Sequence, residues 1–396
     1  MTRVTSRMGG ALDRDFSAAI TLVAGLVIAL VWSGFGSGSY QRVLNTPWFS
    51  YRAPLGQINS LHHLVVAGLM TIFFFAIGLE LSREVASGAF AKPSHALPPI
   101  FGALGGMVAA ALLSIIIGSF AHSSALRHGW GIPMATDIAF TLGALALAGR
   151  GLPPTLRLFL LMLAVADDVF SVIVLAMTGA EHVRYLELAI FFILVVLSRL
   201  LSQRFQGIAW RLGVLVVLWL GLLGAHVEPP LAGVVAGLVI PFRLHERFVL
   251  EDHVRRWSTG IVLPLFALVS CGLEWNVLAG HAVVTITMAT VAIRLIGKVL
   301  GITGGVALAR LIGYRLHPSI TWRLLSTSSL LCAVGFTVPL LFAGSLYSSR
   351  SPTYGAFTLG LLIASLVAAS FGVVLLRVQS RPHYVGREEN HENETD

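Results

Sequence analysis

Two adjacent aspartates, Asp167 and Asp168, lie in the middle of an apolar run that extends from Leu158 to Leu175. A charged aspartate at the centre of a membrane helix costs about 2.5–3.5 kcal/mol on insertion scales. The run contains no Lys or Arg that could offset this cost. Consecutive residues on a helix point about 100° apart, so the two carboxylates need different partners. We therefore predict a site where one carboxylate meets a mobile cation and the other a fixed charge. The alternative is a structural pair satisfied by polar neighbours.

Lys298 offers a fixed positive charge for one of these carboxylates. It lies deep in the apolar sequence TVAIRLIGKVLGI, and the only other lysine, Lys92, lies in a predicted loop. We predict that Lys298 pairs with Asp167 and that Arg294, one turn away, plays a lesser part. The alternative is an ion pair that stabilises the fold and has no other role.

Two of the apolar runs contain helix-breaking residues. The sequence GIPMATDIAF occupies 131–140, and LLCAVGFTVP occupies 330–339. Such interruptions are tolerated at membrane depth only where neighbouring protein or water satisfies the freed backbone. A carboxylate at a break offsets the positive end of a half-helix, which is the role we predict for Asp137. Paired breaks indicate a transporter site, although Gly and Pro are also common in ordinary membrane helices.

A second acidic group lies in the sequence GLELSREV. Glu80, Arg83 and Glu84 are spaced three and four residues apart, which places them on one helix face. Together with Glu251 they could form a titratable cluster at the cytoplasmic mouth of the protein. An interfacial ion pair is an equally favoured alternative.

Composition defines the class of protein that must hold these residues. The chain has 396 residues, of which 56% are hydrophobic and 12% charged, against about 25% charged in soluble proteins. This predicts an all-α polytopic membrane protein. We assign its net charge of +8 to cytoplasmic loops facing anionic lipid, and expect no nucleic-acid partner. Cys271 and Cys332 lie in or beside apolar runs, so no disulfide framework is predicted. His62 and His63 are expected at an interface, without a metal role.

Twelve apolar runs are candidate membrane spans, at about twenty residues per span. Twenty Lys and Arg fall in loops on the side of the N-terminus and five in the opposite loops, which places both termini in the cytoplasm. We predict a single transmembrane domain over 1–376 and a disordered cytoplasmic tail over 377–396. The runs lie near 16–36, 61–82, 97–120, 131–148, 155–178, 185–201, 209–225, 229–242, 258–274, 282–309, 323–347 and 354–376.

Five segments resemble those of the NhaA-type sodium/proton antiporters, in the same order: FFFAIGLELSRE, IPMATDIAFTLGALAL, LFLLMLAVADDVFSVIVLA, IGKVLGI and LCAVGFTVPL. The resemblance implies about twelve transmembrane helices in inverted repeats, with two discontinuous helices that cross near the site. By motif, Asp168 is the principal cation carboxylate and Asp167 its neighbour, paired with Lys298. Thr136 and Asp137 belong to the helix break.

The same resemblance implies electrogenic, pH-dependent exchange of Na⁺ or Li⁺ for H⁺ across the cell membrane, with no enzymatic activity and no cofactor. It assigns Glu80, Arg83, Glu84 and Glu251 to a pH-responsive cytoplasmic face. The expected partners are the transported ions and membrane lipid, and homodimer formation is left open.

Two departures from the family pattern concern pH regulation. Ala67 stands where the family often has an intramembrane aspartate, and Glu228 stands where it usually has a histidine. A glutamate with an ordinary pKa has ionised by about pH 5, whereas histidine titrates between about pH 5 and 8. Unless burial raises the pKa of Glu228, we expect a less steep activity–pH profile, dominated by competition at Asp167 and Asp168.

Three alternatives are weighed against this interpretation. A K⁺/H⁺ or other monovalent cation/H⁺ antiporter belongs to the same class. An intramembrane aspartyl protease needs two carboxylates that share one proton across about 3 Å, and adjacent residues on one helix diverge. A cation channel with an acidic ring is disfavoured by the buried lysine and the paired breaks.

Overall fold

The computed structural model is helical, without strands, in the part of the chain that it describes. Five helical stretches of that part are long and apolar enough to cross a membrane, or six if one bent pair counts as a single span. The predicted all-α membrane class is therefore confirmed, whereas the count of twelve spans stays a prediction. The described residues are 20–48, 58–87, 93–149, 151–178, 184–205, 207–242 and 244–380.

The α-helices of these ranges are numbered in chain order. They are α1 Ile20–Phe35, α2 Ser37–Asn45, α3 Leu61–His63, α4 Met70–Ser87, α5 Pro93–Phe120, α6 Ser124–His128, α7 Ile138–Ala148, α8 Pro154–Thr178, α9 Tyr185–Leu201, α10 Ile208–Ala225, α11 Leu231–Val239, α12 Leu244–Trp257, α13 Leu263–Ser270, α14 His281–Ala292, α15 Lys298–Leu311, α16 Trp322–Leu331, α17 Thr337–Leu346 and α18 Pro352–Ser380. The predicted run 323–347 is thus divided into two helices of ten residues each.

Three π-helical segments join neighbouring helices into longer rods. Leu64–Leu69 joins α3 to α4, Ser258–Val262 joins α12 to α13, and Ile293–Gly297 joins α14 to α15. Such segments are frequent at functional sites. The third ends directly before Lys298, and so it sets the direction in which that side chain leaves the rod.

Helices α5 and α15 approach each other closely through glycines. Gly105 and Gly301 face each other, and a Cβ on either would collide with the backbone of the opposite helix. Small residues allow this backbone approach in membranes, where no hydrophobic force drives helices together. A Cβ on Gly106 would also contact the Lys298 side chain. This packing therefore holds Lys298 between α5 and α8.

A second glycine contact joins α4 to α11. Gly78 lies against Gly237 and the backbone of Val234, so a side chain at either glycine would separate the two helices. This contact fixes the end of α4 that carries the acidic group predicted from the sequence.

The two interrupted runs meet beside α8. Residues 129–137 connect α6 to α7, and residues 332–336 connect α16 to α17. The Asp137 N–H donates to the carbonyl of Val334 at 3.0 Å, and Thr136 Oγ1 donates to that of Cys332 at 2.8 Å. Backbone groups left without helical partners are thus satisfied across the contact. We call these two connecting segments, 129–137 and 332–336, the crossing.

The last helix extends past the predicted domain boundary. Helix α18 ends at Ser380, four residues beyond residue 376. The rest of the predicted tail lies outside the described residues, so the division into domain and tail stays a prediction.

Candidate cation site

Asp167 and Lys298 form the ion pair predicted from the sequence. Lys298 Nζ lies 3.0 Å from Asp167 Oδ1 and 3.2 Å from Oδ2, and both side chains are fully buried. Asp167 Oδ2 also accepts a hydrogen bond from the backbone N–H of Thr136 in the crossing. The Asp167 carboxylate is therefore held from two sides, by a charge on α15 and by backbone from the crossing.

Asp168 is equally buried but differently surrounded. Its exposed fraction is 2%, and no described residue donates a hydrogen bond to its carboxylate. The charged groups that act on it are Asp167, Asp137, Glu80 and Lys298, three acids and one base. A buried carboxylate is costly unless a cation or a proton compensates it. Asp168 thus lacks the fixed partners that hold Asp167.

Asp137 occupies the position predicted for it at the break. It directly precedes the first residue of α7, where backbone N–H groups carry a partial positive charge, and its exposed fraction is 4%. Its carboxylate therefore lies near both the N-terminus of α7 and Asp168.

Arg294, for which the sequence predicts a lesser part, lies in the same buried region, and its role stays a prediction. The side chain is fully buried, with Nε 2.8 Å from the carbonyl of Ala333 and Nη1 3.2 Å from that of Pro133. Its spacing of four residues before Lys298 places both on one face and was the available sequence signal. The sequence does not show which carbonyls it meets. The five buried charges form what we call the buried charge group: Asp137, Asp167, Asp168, Arg294 and Lys298.

The second predicted group assembles at the end of α4. Arg83 lies 2.8 Å from Glu84 (Nη2–Oε1) and 3.1 Å from Glu251 (Nε–Oε2). Arg255 Nη2 lies 3.1 Å from Glu251 Oε1 and 3.3 Å from Glu80 Oε1. The sequence predicted that Glu80, Arg83, Glu84 and Glu251 lie together, but it gave no signal for Arg255. We call these residues the α4 cluster: Glu80, Arg83, Glu84, Glu251 and Arg255.

The α4 cluster is partly solvated and linked to the deeper site. Burial raises the pKa of the Glu251 carboxyl, while Arg83 and Arg255 act to lower it. Glu80 belongs both to this cluster and to the charges that act on Asp168. Glu80 therefore links the end of α4 electrostatically to the buried charge group.

The two departures from the family pattern line one cavity at the other end of the α3–α4 rod. Its volume is about 410 Å³, and His62, His63, Ala67 and Glu228 are among its lining residues. Glu228 lies in the turn between α10 and α11, outside both helices. Burial raises its pKa to about 7. The exception named for the less steep activity–pH profile therefore applies to Glu228, and the shape of that profile stays a prediction.

Comparison with known proteins decides the family. The family model described as Na+/H+ antiporter 1 matches residues 10–376. The chain belongs to this family. The Na(+)/H(+) antiporter NhaA of Citrobacter koseri is 35% identical over 382 residues, covering 93% of this chain and 97% of the relative. That of Escherichia coli O1:K1 is 34% identical, with the same coverage. The Na(+)/H(+) antiporter NhaA 2 of Novosphingobium aromaticivorans is 34% identical, covering 85% of this chain and 86% of the relative.

Membership of the Na⁺/H⁺ antiporter 1 family confirms the resemblance recognised in the five sequence segments. Three of those segments supply Asp137, Asp167, Asp168 and Lys298, and a fourth, LCAVGFTVPL, supplies residues 332–336 of the crossing; Arg294 lies outside all five. The fifth supplies three residues of the α4 cluster.

Proposed function

We propose that the protein exchanges Na⁺ for H⁺ across the cell membrane, with Asp168 as the exchanging carboxylate. The observation that carries the proposal is the difference between two neighbours on α8. Asp167 is held by Lys298 and by the crossing, whereas no described residue donates to Asp168. The relatives named as Na(+)/H(+) antiporters support Na⁺ and H⁺ as the transported ions.

Competition for one carboxylate couples the two ions. At high pH Asp168 is ionised and binds the cation, and at low pH a proton displaces it. The buried charge group then contains three acids and two bases, so one monovalent cation or one proton neutralises it. Transport requires that the loaded and unloaded carboxylate favour different states of the protein. Electrogenic exchange needs a second proton per cycle, and Asp167 with Lys298 is the pair we propose for it.

The two interrupted runs provide the moving part. We infer that α6 with α7, and α16 with α17, are the discontinuous spans of an inverted repeat within about twelve spans. Their crossing contacts both Asp167 and Arg294. Rocking of one bundle against the other would carry the loaded site from one face to the other.

The orientation follows from the loop charges. The excess of Lys and Arg on the side of the N-terminus supports a cytoplasmic location of both termini and of the α4 cluster. The cavity with Glu228 then opens toward the outside. In this orientation the α4 cluster lies where cytoplasmic pH can change its ionisation.

The geometry also disfavours the protease alternative. Aspartyl protease chemistry requires two carboxylates that share a proton. Asp167 is instead engaged by the Lys298 ammonium and the Thr136 amide.

The test is dissipation of a proton gradient in everted membrane vesicles by Na⁺, Li⁺ and K⁺ across pH. We expect wild-type protein to release protons on addition of Na⁺ and Li⁺. Asp168→Asn should abolish this response, because an amide cannot exchange a proton for a cation. Asp252→Asn is the matched control, since Asp252 is an exposed acid on α12 that pairs with Arg256.

Near-normal Na⁺/H⁺ exchange by correctly inserted Asp168→Asn protein would contradict the assignment of Asp168. A wild-type response to K⁺ alone would make the protein a K⁺/H⁺ antiporter. A potential-sensitive dye in the same vesicles tests electrogenicity.

A further inference from the structure

Arg294 is the largest fully buried side chain among the described residues. It lies in the π-helical segment between α14 and α15, one turn before Lys298. A guanidinium is always charged, and burying it is costly unless its donors meet acceptors. The acceptors that Arg294 binds therefore indicate what its burial achieves.

Arg294 binds one carbonyl from each half of the crossing. Nε donates to Ala333 and Nη1 donates to Pro133, at 2.8 and 3.2 Å. Ala333 lies just beyond the buried end of α16, whereas Pro133 lies in the series of turns that follows α6. A carbonyl beyond a helix end lacks a helical partner and carries partial negative charge. The guanidinium thus joins the end of α16 to the other half of the crossing.

This contact completes a row of hydrogen bonds along the crossing. The three consecutive carbonyls of 332–334 accept from Thr136 Oγ1, from Arg294 Nε and from the Asp137 N–H, in that order. The first and third donors come from the opposite half of the crossing. Without Arg294 the middle carbonyl loses its donor, and the link to Pro133 is lost as well.

The fit around the guanidinium is close. A Cβ on Gly335 would lie 2.6 Å from Arg294 Nη2, so the glycine leaves the space that the side chain occupies. The charge of Arg294 also acts on Asp137 and Asp167. A lysine could supply this charge but lacks the planar fork that reaches two carbonyls at once.

We propose that Arg294 is a positioning residue for the exchange: it holds the two halves of the crossing in register against Asp167 and Asp168. This proposal rests on the proposed Na⁺/H⁺ exchange. It predicts that the shape of the site depends on the fork of Arg294 as well as on its charge.

The first test compares the kinetics of Arg294→Met and Arg294→Lys in everted vesicles. We expect Arg294→Met to lower the maximal exchange rate at least about tenfold and to change the apparent KM for Na⁺. Arg294→Lys keeps the charge but serves one carbonyl at a time. It should restore the KM for Na⁺ to within about twofold of wild type, while the maximal rate stays reduced.

Arg377→Met is the matched control. Arg377 also donates through Nε and Nη2 to a carbonyl at a helix end, that of Leu147, but outside the crossing. We expect its rate and KM to equal those of the wild type. A general effect of losing any guanidinium–carbonyl contact would appear in this control.

The second test is hydrogen exchange of purified protein measured by mass spectrometry. Loss of Arg294 should accelerate exchange in peptides covering 129–137 and 332–336, and Arg377→Met should not. If Arg294→Met fails to insert, Arg294→Lys carries both tests, with faster exchange in the same two peptides as the expected result.

Wild-type rate, KM and hydrogen exchange in the Arg294 variants would overturn the proposal. So would a lowered melting temperature with unchanged KM and rate per inserted molecule, since that result indicates a purely structural role. Asp168→Asn in the same vesicles separates the two proposals. If it is inactive while the Arg294 variants are normal, only the positioning role fails; if it remains active, the assignment of the exchange site fails first.

Discussion

The buried charge group and the α4 cluster contain the same charges in number and sign, three carboxylates and two bases. In the α4 cluster every carboxylate lies within 4.0 Å of an arginine, and the arginines are partly exposed. In the buried charge group Lys298 pairs with Asp167, no described base lies within that distance of Asp168, and Arg294 binds carbonyls instead. The same set of charges is thus arranged in two different ways. We propose that a cation site depends less on charge composition than on a buried carboxylate that the fold leaves without a fixed base.

We expect the largest difference in stability between the two regions when one base is removed from each. Lys298→Ala leaves Asp167 buried with an uncompensated charge, which costs about 3–5 kcal/mol. Arg255→Ala removes a base with 41% side-chain exposure, and such pairs contribute about 0–1 kcal/mol. We therefore expect a much larger loss of melting temperature for Lys298→Ala, together with a shifted pH dependence of exchange. Equal melting temperatures would show that Asp167 and Lys298 do not form a buried pair.

Glu228 belongs to neither region, and we expect its replacement to have an intermediate effect on the pH dependence of stability. Its pKa is about 7 in the folded protein against an ordinary value of 4.5. Between these values Glu228 binds more protons in the folded state than in the unfolded state. Its contribution to the free energy of unfolding is therefore fully present below about pH 4.5 and is lost as the pH rises to about 7. Glu228→Gln should remove this fall. Thermal unfolding of both proteins from pH 4 to 8 measures it, and parallel curves would contradict the raised pKa.

The activity profile of the same variant separates two sources of pH dependence. If competition at Asp168 dominates, the acidic limb moves to lower pH as Na⁺ rises, in wild type and in Glu228→Gln alike. A sharp limb that stays near pH 7 at all Na⁺ concentrations, and that Glu228→Gln abolishes, would make Glu228 the sensor. Exchange rates at several Na⁺ concentrations across pH distinguish these outcomes.

We expect the smallest effect from added salt, which changes the stability cost of the surface variant. Exposed charges are screened by ions, with a Debye length of about 3 Å at 1 M salt, whereas buried pairs are screened much less. Choline chloride supplies ionic strength without a transported cation. We expect it to remove the small stability cost of Arg255→Gln but not that of Lys298→Ala. A cost of Lys298→Ala that vanishes in choline chloride would place that pair in water.

The α4 cluster shows what local spacing predicts. Glu80, Arg83 and Glu84 are neighbours on one helix face, because residues three and four apart lie on the same side. Arg255 comes from a different helix, 172 positions after Arg83. No helix periodicity relates Arg83 to Arg255. Arg255 joins the cluster because α12 packs against α4 in the folded protein.

The sequence by itself determined the class of protein, the family and the Asp167–Lys298 pair. A charge within an apolar run is costly unless it is compensated, so a buried acid predicts a buried base as its partner. Tertiary structure decided that Arg255 joins the α4 cluster, which carbonyls Arg294 binds, and that Ala67 and Glu228 line one cavity. These contacts join residues from separate helices, and their distances depend on how closely glycine faces let the backbones approach. Helix periodicity describes each element alone, and so it cannot supply those distances.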